Sequence, residues 1–399
     1  MFKESRSEIN QLTVKDIKKL GKDRTIENFN LLINLFGQKH PTSVQREIVS
    51  SIGRHKNNDD IYRFIKDNVF EKHNMEVIYQ MFRTLLYKSN DTRFFELKKE
   101  VMKFYDNEVI NKMDLYYTYK HEINSKVSFN TKKYTSDPVI LKGNNIDTLK
   151  TIPKNSVQLI FTSPPYYNAR DYSGYLSYKN YLKEMKKTLK QCHRVLETGR
   201  FIVINVSPVI TGRPGREFES TRYPIPFDFH QLLIKSGFTF VDEIIWVKPE
   251  PSVPYRIGGY MQIKKPLTYK PKTITESILV YRKNAPFLVD ENLKRYNNYS
   301  TTDNLNIHLN DSDVDSSNCW YIPPTYNKKH PAVFPKKLCE KILKYYSFPN
   351  DIVLDPFAGI GTFGTVAIQM KRIPILCESN PRYIETMEYE IRKALHTID

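Results

Sequence analysis

Thr162-Ser163-Pro164-Pro165-Tyr166 places hydroxyls, two proline rings and an aromatic face at the end of an apolar run, Val157-Gln158-Leu159-Ile160-Phe161. Proline locks φ and lacks an N–H. The Pro164 carbonyl is therefore expected to be held in one direction, beside the Ser163 hydroxyl. Two fixed acceptors next to a flat ring suit a planar amino group lying on an aromatic face, as on a nucleobase. Proline pairs alone mark ordinary turns, so the reading needs a second feature.

That feature lies nearly two hundred residues on. Asp351-Ile352-Val353-Leu354-Asp355 leads into Pro356-Phe357-Ala358-Gly359-Ile360-Gly361-Thr362, then into a helical pattern through Val366, Ile368 and Met370. Glycines let the backbone approach a ligand closely at a helix N-terminus. The next strand, Ile373-Pro374-Ile375-Leu376-Cys377, ends in Glu378. An acid at the end of a second strand is placed to bind ribose hydroxyls. No lysine follows the glycines, which argues against a P-loop. The pattern predicts a nucleoside-binding half-domain.

Together these segments resemble the beta group of DNA amino-methyltransferases, over roughly residues 138–395. Thr162 to Tyr166 resembles the family's catalytic motif, and Asp355 to Thr362 its cofactor motif. Lys329-His330-Pro331-Ala332-Val333-Phe334-Pro335, followed by Leu338, resembles the segment bordering the methionine end of the cofactor. The catalytic motif precedes the cofactor motif, the permuted order of that group. The order argues against protein-glutamine and RNA methyltransferases.

The resemblance implies S-adenosylmethionine as cofactor and double-stranded DNA as substrate. The expected catalytic residues are Ser163, Pro164, Pro165 and Tyr166. The expected cofactor residues are Asn144, Thr162, His330, Phe334, Asp355, Pro356, Phe357, Gly359, Gly361, Thr362 and Glu378. In the family an acid follows the first strand; here Asn144 replaces it, and an amide oxygen can still bond an adenine amino group. Family members acting on adenine usually carry Asp or Asn where this chain has Ser163, whereas cytosine-N4 enzymes usually carry Ser. Ser163 therefore favours N4 of cytosine, with N6 of adenine as the alternative. A rival of another class is a non-catalytic DNA-binding or specificity subunit, which the intact motifs oppose. A cognate restriction endonuclease is a further possible partner.

The elements needed to position these residues are legible around them. Alternating apolar strands and helices predict an α/β fold. The resemblance specifies the Rossmann-like S-adenosylmethionine-dependent methyltransferase sheet, with one antiparallel strand near an edge. Leu182, Met185, Leu189, Cys192 and Leu196 form a helical stripe that reads as core; Gly199-Arg200 reads as that helix's end. Tyr167 reads equally as a second wall for the base or as a core residue. Insertions are expected near 207–226 and 284–326, both on the surface, the second polar and strand-poor. One or both, the 249–272 loop or the N-terminal region would recognise DNA.

Residues 1–125 read as a separate all-α domain, joined by a polar linker at 126–137 to a catalytic domain at 138–399; the polar stretch itself begins at Tyr119. Apolar positions recur at a shift of 33 residues, Val44, Ile48 and Ile52 onto Val77, Met81 and Leu85. Stacked helix pairs resembling HEAT-type repeats follow from such a period, a plain helical bundle being the alternative.

The chain has 399 residues and a formal net charge of +17, enough charge to attract a polyanion. Arg213, Arg216 and Arg222 cluster in one loop; Lys264, Lys265, Lys270 and Lys272 cluster in another. Both are candidate DNA contacts. The four cysteines show no metal-ligand spacing and no catalytic role is expected for them. No signal peptide or membrane span is apparent, and a cytoplasmic, nucleoid-associated bacterial protein is expected.

Overall fold

The computed structural model describes residues 12–123, 134–167, 174–211, 215, 217–218, 220–253, 267, 271–299, 314–326 and 333–397. The chain divides into two compact units, Met1–Ser128 and Phe129–Asp399.

The first unit contains α1 (Val14–Leu20), α2 (Ile26–Phe36), α3 (Thr42–Gly53), α4 (Asn58–Asn68), α5 (Met75–Tyr87), α6 (Thr92–Tyr105) and α7 (Glu108–Thr118). Polar caps start most of them: Thr13, Thr25, Asn57, Asn74, Asp91 and Asn107 each accept a first-turn backbone N–H through a side-chain oxygen. Helix α3 packs on α1 and on α5, α5 on α7, and α4 on α6. Ile48 and Ile52 on α3, and Met81 and Leu85 on α5, are all fully buried. Pairs at a similar interval tie the layers: Arg46 to Glu76, Asp59 to Arg93, and the edge-on rings of Tyr62 and Phe94. A π-helical turn, Tyr119–Ile123, continues past α7, and Tyr119 is buried. The polar stretch expected to begin at Tyr119 therefore starts as helix, with its first ring buried.

The second unit is built on an eight-stranded sheet. Its strands are β1 (Val139–Lys142), β2 (Val157–Thr162), β3 (Leu196–Val206), β6 (Phe238–Val247), β7 (Thr275–Lys283), β8 (Cys319–Tyr321), β9 (Ile352–Asp355) and β10 (Ile373–Glu378); β4 (Val209–Ile210) and β5 (Arg222–Tyr223) form a separate hairpin. The order is β1-β10-β9-β2-β3-β7-β6-β8. All neighbouring pairs are parallel except those of β7, which runs against both β3 and β6. Strands β2, β9 and β10 are apolar almost throughout and largely buried, as expected for a sheet covered on both faces. Helices α8 (Asn145–Thr151), α9 (Tyr178–Val195), α10 (Ile225–Lys235), α11 (Asp290–Tyr299), α12 (Lys336–Tyr346), α13 (Thr362–Gln369) and α14 (Pro381–Leu395) accompany the sheet. Separate buried clusters hold Met185, Leu189 and Phe229 with Ile202, and Leu338, Ile342 and Phe363 with Val203.

Three local expectations change. Helix α9 ends at Val195, and Gly199 and Arg200 lie inside β3. Gly199 bends that strand at φ 83°, where a Cβ would meet the Phe287 ring at 2.6 Å. Arg200 is buried and ion-paired with Asp351. The first insertion is short of its expected end, because α10 begins at Ile225, which is fully buried. The 284–326 stretch is not wholly superficial: Phe287, Trp320 and Ile322 are buried, and β8 extends the main sheet beside β6. The Trp246 indole N–H donates to the Ile322 carbonyl at 2.7 Å, anchoring that short strand.

Candidate active site

Parallel strands present their C-terminal ends at one edge of a sheet, where ligands of wound α/β folds bind. Here β1, β10, β9, β2, β3 and β6 all end on that edge, and β7, running the other way, begins there. A cleft of about 1160 Å³ follows it. Its lining includes Ser163, Pro164, Pro165 and Tyr166 after β2, Asp355 at the end of β9 with Pro356 to Ile360 and Thr362 after it, and Glu378 at the end of β10. Asn144 and Phe334 line it as well. Segments nearly two hundred residues apart in sequence thus share one cavity.

At one end, Glu378 is held by backbone. It accepts from Gly359 N–H at 2.8 Å through Oε2, and from Ser379 and Asn380 N–H at 2.9 and 2.8 Å through Oε1. Burial pushes its carboxyl above the ordinary range, against those three donors. Gly359 adopts φ 56° to make the turn. Phe334 stacks on Phe161, with ring centroids 4.6 Å apart, and forms part of the wall.

Three expected cofactor residues make contacts within the protein. Thr162 is buried, and its hydroxyl donates to Asp355 Oδ1 at 2.6 Å. It is the last residue of β2 and is not among the cleft-lining residues, whereas Asp355 is. Burial raises the Asp355 carboxyl to about 7, despite the Thr162 hydroxyl and the Phe357 N–H that it accepts. Gly361 has φ 81°, and a Cβ there would lie 2.5 Å from Met387 Cγ. Its lack of a side chain thus serves the packing of α13 on α14. Asn144 is exposed and caps α8, its Oδ1 accepting Ile146 N–H at 2.9 Å. The cap uses one of that oxygen's two lone pairs, and Asn144 still lines the cleft.

At the other end is a polar network that the motifs did not reveal. The Tyr166 hydroxyl donates to Glu276 Oε2 at 2.9 Å. It accepts from Ser163 Oγ at 3.4 Å and from Asn205 Nδ2 at 3.3 Å. Asn205 also donates to Glu276, and Lys248 is ion-paired with Glu276 Oε1. Glu276 and Lys248 side chains are only 12% and 16% exposed. Burial and the neighbouring Glu276 charge push the Tyr166 phenol well above its ordinary value, so it remains a donor. Antiparallel register sets Trp246 opposite Glu276 and so brings Lys248 beside it. The only sequence signal was a charged residue at the end of each of two apolar strands.

Tyr167 is buried against Tyr178, Tyr181 and Tyr223 and belongs to the core. Arg222 is exposed on β5, whose partner β4 lines the cleft through Val209 and Ile210. Lys272 is partly buried and lies 3.7 Å from Glu250. Arg213, Arg216, Lys264, Lys265, Lys270 and His330 lie outside the described residues. Among the described residues no cluster of His, Cys, Asp and Glu could hold a metal ion, and no helix is long and apolar enough to cross a membrane. Cys192, Cys339 and Cys377 are buried, and Cys319 is half-buried; none is in a disulfide.

The N6/N4 DNA methylase family matches residues 157–389, from the start of β2 into α14. The chain belongs to this DNA methylase family. Its sheet is the sheet of S-adenosylmethionine-dependent methyltransferases. Among curated relatives, the Type II beta methyltransferase M.BslI of Bacillus sp. is 26% identical over 62% of this chain and 26% of that protein. This chain thus spans about a quarter of that relative. The DNA adenine methyltransferase YhdJ of Escherichia coli is 29% identical over 62% of this chain and 80% of that protein. A crystal structure of TTHA0409, a putative DNA modification methylase of Thermus thermophilus complexed with S-adenosyl-L-methionine, aligns with TM-score 0.50 and 27% identity. The alignment covers 64% of this chain and 94% of that one.

Proposed function

We propose that this DNA methylase transfers a methyl group to the exocyclic N4 amine of cytosine in a specific duplex sequence. The observation that carries the reading is Ser163 in the same cleft as Glu378 and the Gly359 turn. The cleft exceeds the roughly 300–1,000 Å³ of a single-ligand pocket, leaving room for a nucleoside cofactor and a base together.

S-adenosylmethionine supplies an electrophilic methyl group when bound. Glu378, fixed by three N–H groups, would take the ribose hydroxyls, with the Gly359 turn beside it and Phe334 along the wall. The exocyclic amine is a poor nucleophile because its lone pair is delocalised into the ring. Ser163 Oγ and the Pro164 carbonyl accept its two hydrogens and localise that pair on nitrogen. Tyr166 stacks on the base and stabilises positive charge with its face. Holding the amine in line supplies much of the rate. A target inside a duplex must first be flipped out. Arg222 on the β4–β5 hairpin, with the lysine- and arginine-rich loops, is assigned to DNA. The N-terminal helices are read as a HEAT-like stack.

Relatives acting on adenine, YhdJ among them, favour N6 of adenine as the second reading. The test is transfer of labelled methyl from S-adenosylmethionine to duplex DNA by purified protein. Ser163→Ala is expected to lower turnover about 10²-fold or more and to leave cofactor affinity within twofold of wild type. Equal loss of both would contradict the role given to Ser163. Failure to bind the cofactor at all would favour a non-catalytic DNA-binding subunit.

A further inference from the structure

Ser163, Tyr166 and Glu276 form a directed chain of hydrogen bonds. Ser163 Oγ donates to the Tyr166 oxygen, and the Tyr166 hydroxyl donates to Glu276 Oε2. Asn205 Nδ2 takes the second lone pair of the Tyr166 oxygen. With both lone pairs engaged, the tyrosine proton has one course, toward the carboxylate. Lys248 balances the charge of Glu276 from its other oxygen. The first bond is long at 3.4 Å, as catalytic hydrogen bonds often are before substrate tightens them.

Resting on the amine-methylation reading above, we propose that these three residues are a proton relay draining the reacting nitrogen. When the amine lone pair forms the new N–C bond, the C–S bonding pair passes to sulfur and the nitrogen carries one surplus proton. Ser163 Oγ takes that proton while its own passes to Tyr166 O, and the Tyr166 proton passes to Glu276 Oε2. One positive charge is lost at sulfur and one negative charge at the carboxylate, so charge and protons balance. Glu276 lines the cleft and returns its proton to water afterwards. The relay gives Glu276 a task that stacking alone does not require, because a neutral acceptor would hold the Tyr166 ring equally well.

Glu276→Gln separates the two roles. The amide oxygen still accepts from Tyr166 but cannot take a proton. Single-turnover methyl transfer is measured beside cofactor affinity and target-base flipping, the last by 2-aminopurine fluorescence at the target. The relay predicts a loss of about 10²-fold in transfer with cofactor affinity and flipping within twofold of wild type. Tyr166→Phe keeps the ring and cuts the chain, so it is expected to lose as much; the double variant is expected to lose no more than either single one. A Glu276→Gln or Tyr166→Phe enzyme transferring at the wild-type rate would overturn the relay while leaving the proposed function intact. If Glu276→Gln loses the cofactor or misfolds, Tyr166→Phe decides alone by the same readouts. No transfer by the wild-type chain to any DNA would overturn the proposed function and the relay with it.

Discussion

The Thr162 hydroxyl donates to Asp355 Oδ1 at 2.6 Å, joining the head of the catalytic motif to the head of the glycine turn. Both groups are buried. Strands β2 and β9 are direct neighbours, with Ile160 opposite Leu354, so the bond locks the ends of two strands whose loops form opposite halves of the cleft. An error in either loop is therefore expected to reach the other.

Thr162→Val keeps shape and removes the donor. Leaving a buried acceptor unpaired costs about 1–3 kcal/mol, readable as a lower denaturation midpoint. Cofactor affinity and turnover are expected to fall together, and Thr162→Ser is expected to restore both. A stable Thr162→Val protein with normal affinity would show that the bond holds nothing in place.

Asp355 gives a pH signature. Its folded value of about 7 lies above the ordinary 3.8 because it is buried. Between these values the folded state holds a proton that the unfolded state has lost, so this group's contribution to stability falls as pH rises through the window. Asp355→Asn removes that penalty. Denaturation of the two proteins at pH 5 and pH 8 is expected to shift in the variant's favour at pH 8, by a few kcal/mol at most. A difference between variant and wild type that is independent of pH would assign Asp355 an ordinary value.

Glu378→Ala is expected to weaken S-adenosylmethionine binding by about 10- to 100-fold, the loss of a charged hydrogen-bonding partner worth about 1.5–3 kcal/mol. Glu378→Gln should lose less, because its oxygen can still accept from the backbone. Calorimetry reads both. Unchanged affinity in the alanine variant would remove Glu378 from the ribose site.

Gly361→Ala tests whether that glycine serves packing. The new methyl would sit 2.5 Å from Met387 Cγ, at a φ that side chains disfavour. The expected loss is about 1–3 kcal/mol of stability, partly recovered by Met387→Ala. Full stability with weakened cofactor binding would return Gly361 to the ligand.

What was legible in the sequence follows from locality. Thr162 to Tyr166, the Gly359 turn and Glu378 are each a strand end followed by a loop, so a few consecutive residues suffice to recognise them. Asn205 and Glu276 are single residues on β3 and β7, Lys248 directly follows β6, and their meeting depends on the register of β7 against β3 and β6. No window of sequence contains that register. Strand β8 was missed for a related reason. It has three residues inside a polar stretch and is held by Trp320 burial and the Trp246 bond rather than by its own pattern. The Thr162 bond to Asp355 and the close approach of Met387 to Gly361 are likewise contacts between distant segments, which a motif letter does not contain.

The amine that Ser163 faces sets the product. Long-read sequencing of DNA from methylase-deficient bacteria expressing this chain tests that assignment most directly. N4-methylcytosine at one recurring duplex sequence is the expected result. N6-methyladenine at such a sequence, without N4-methylcytosine, would contradict it.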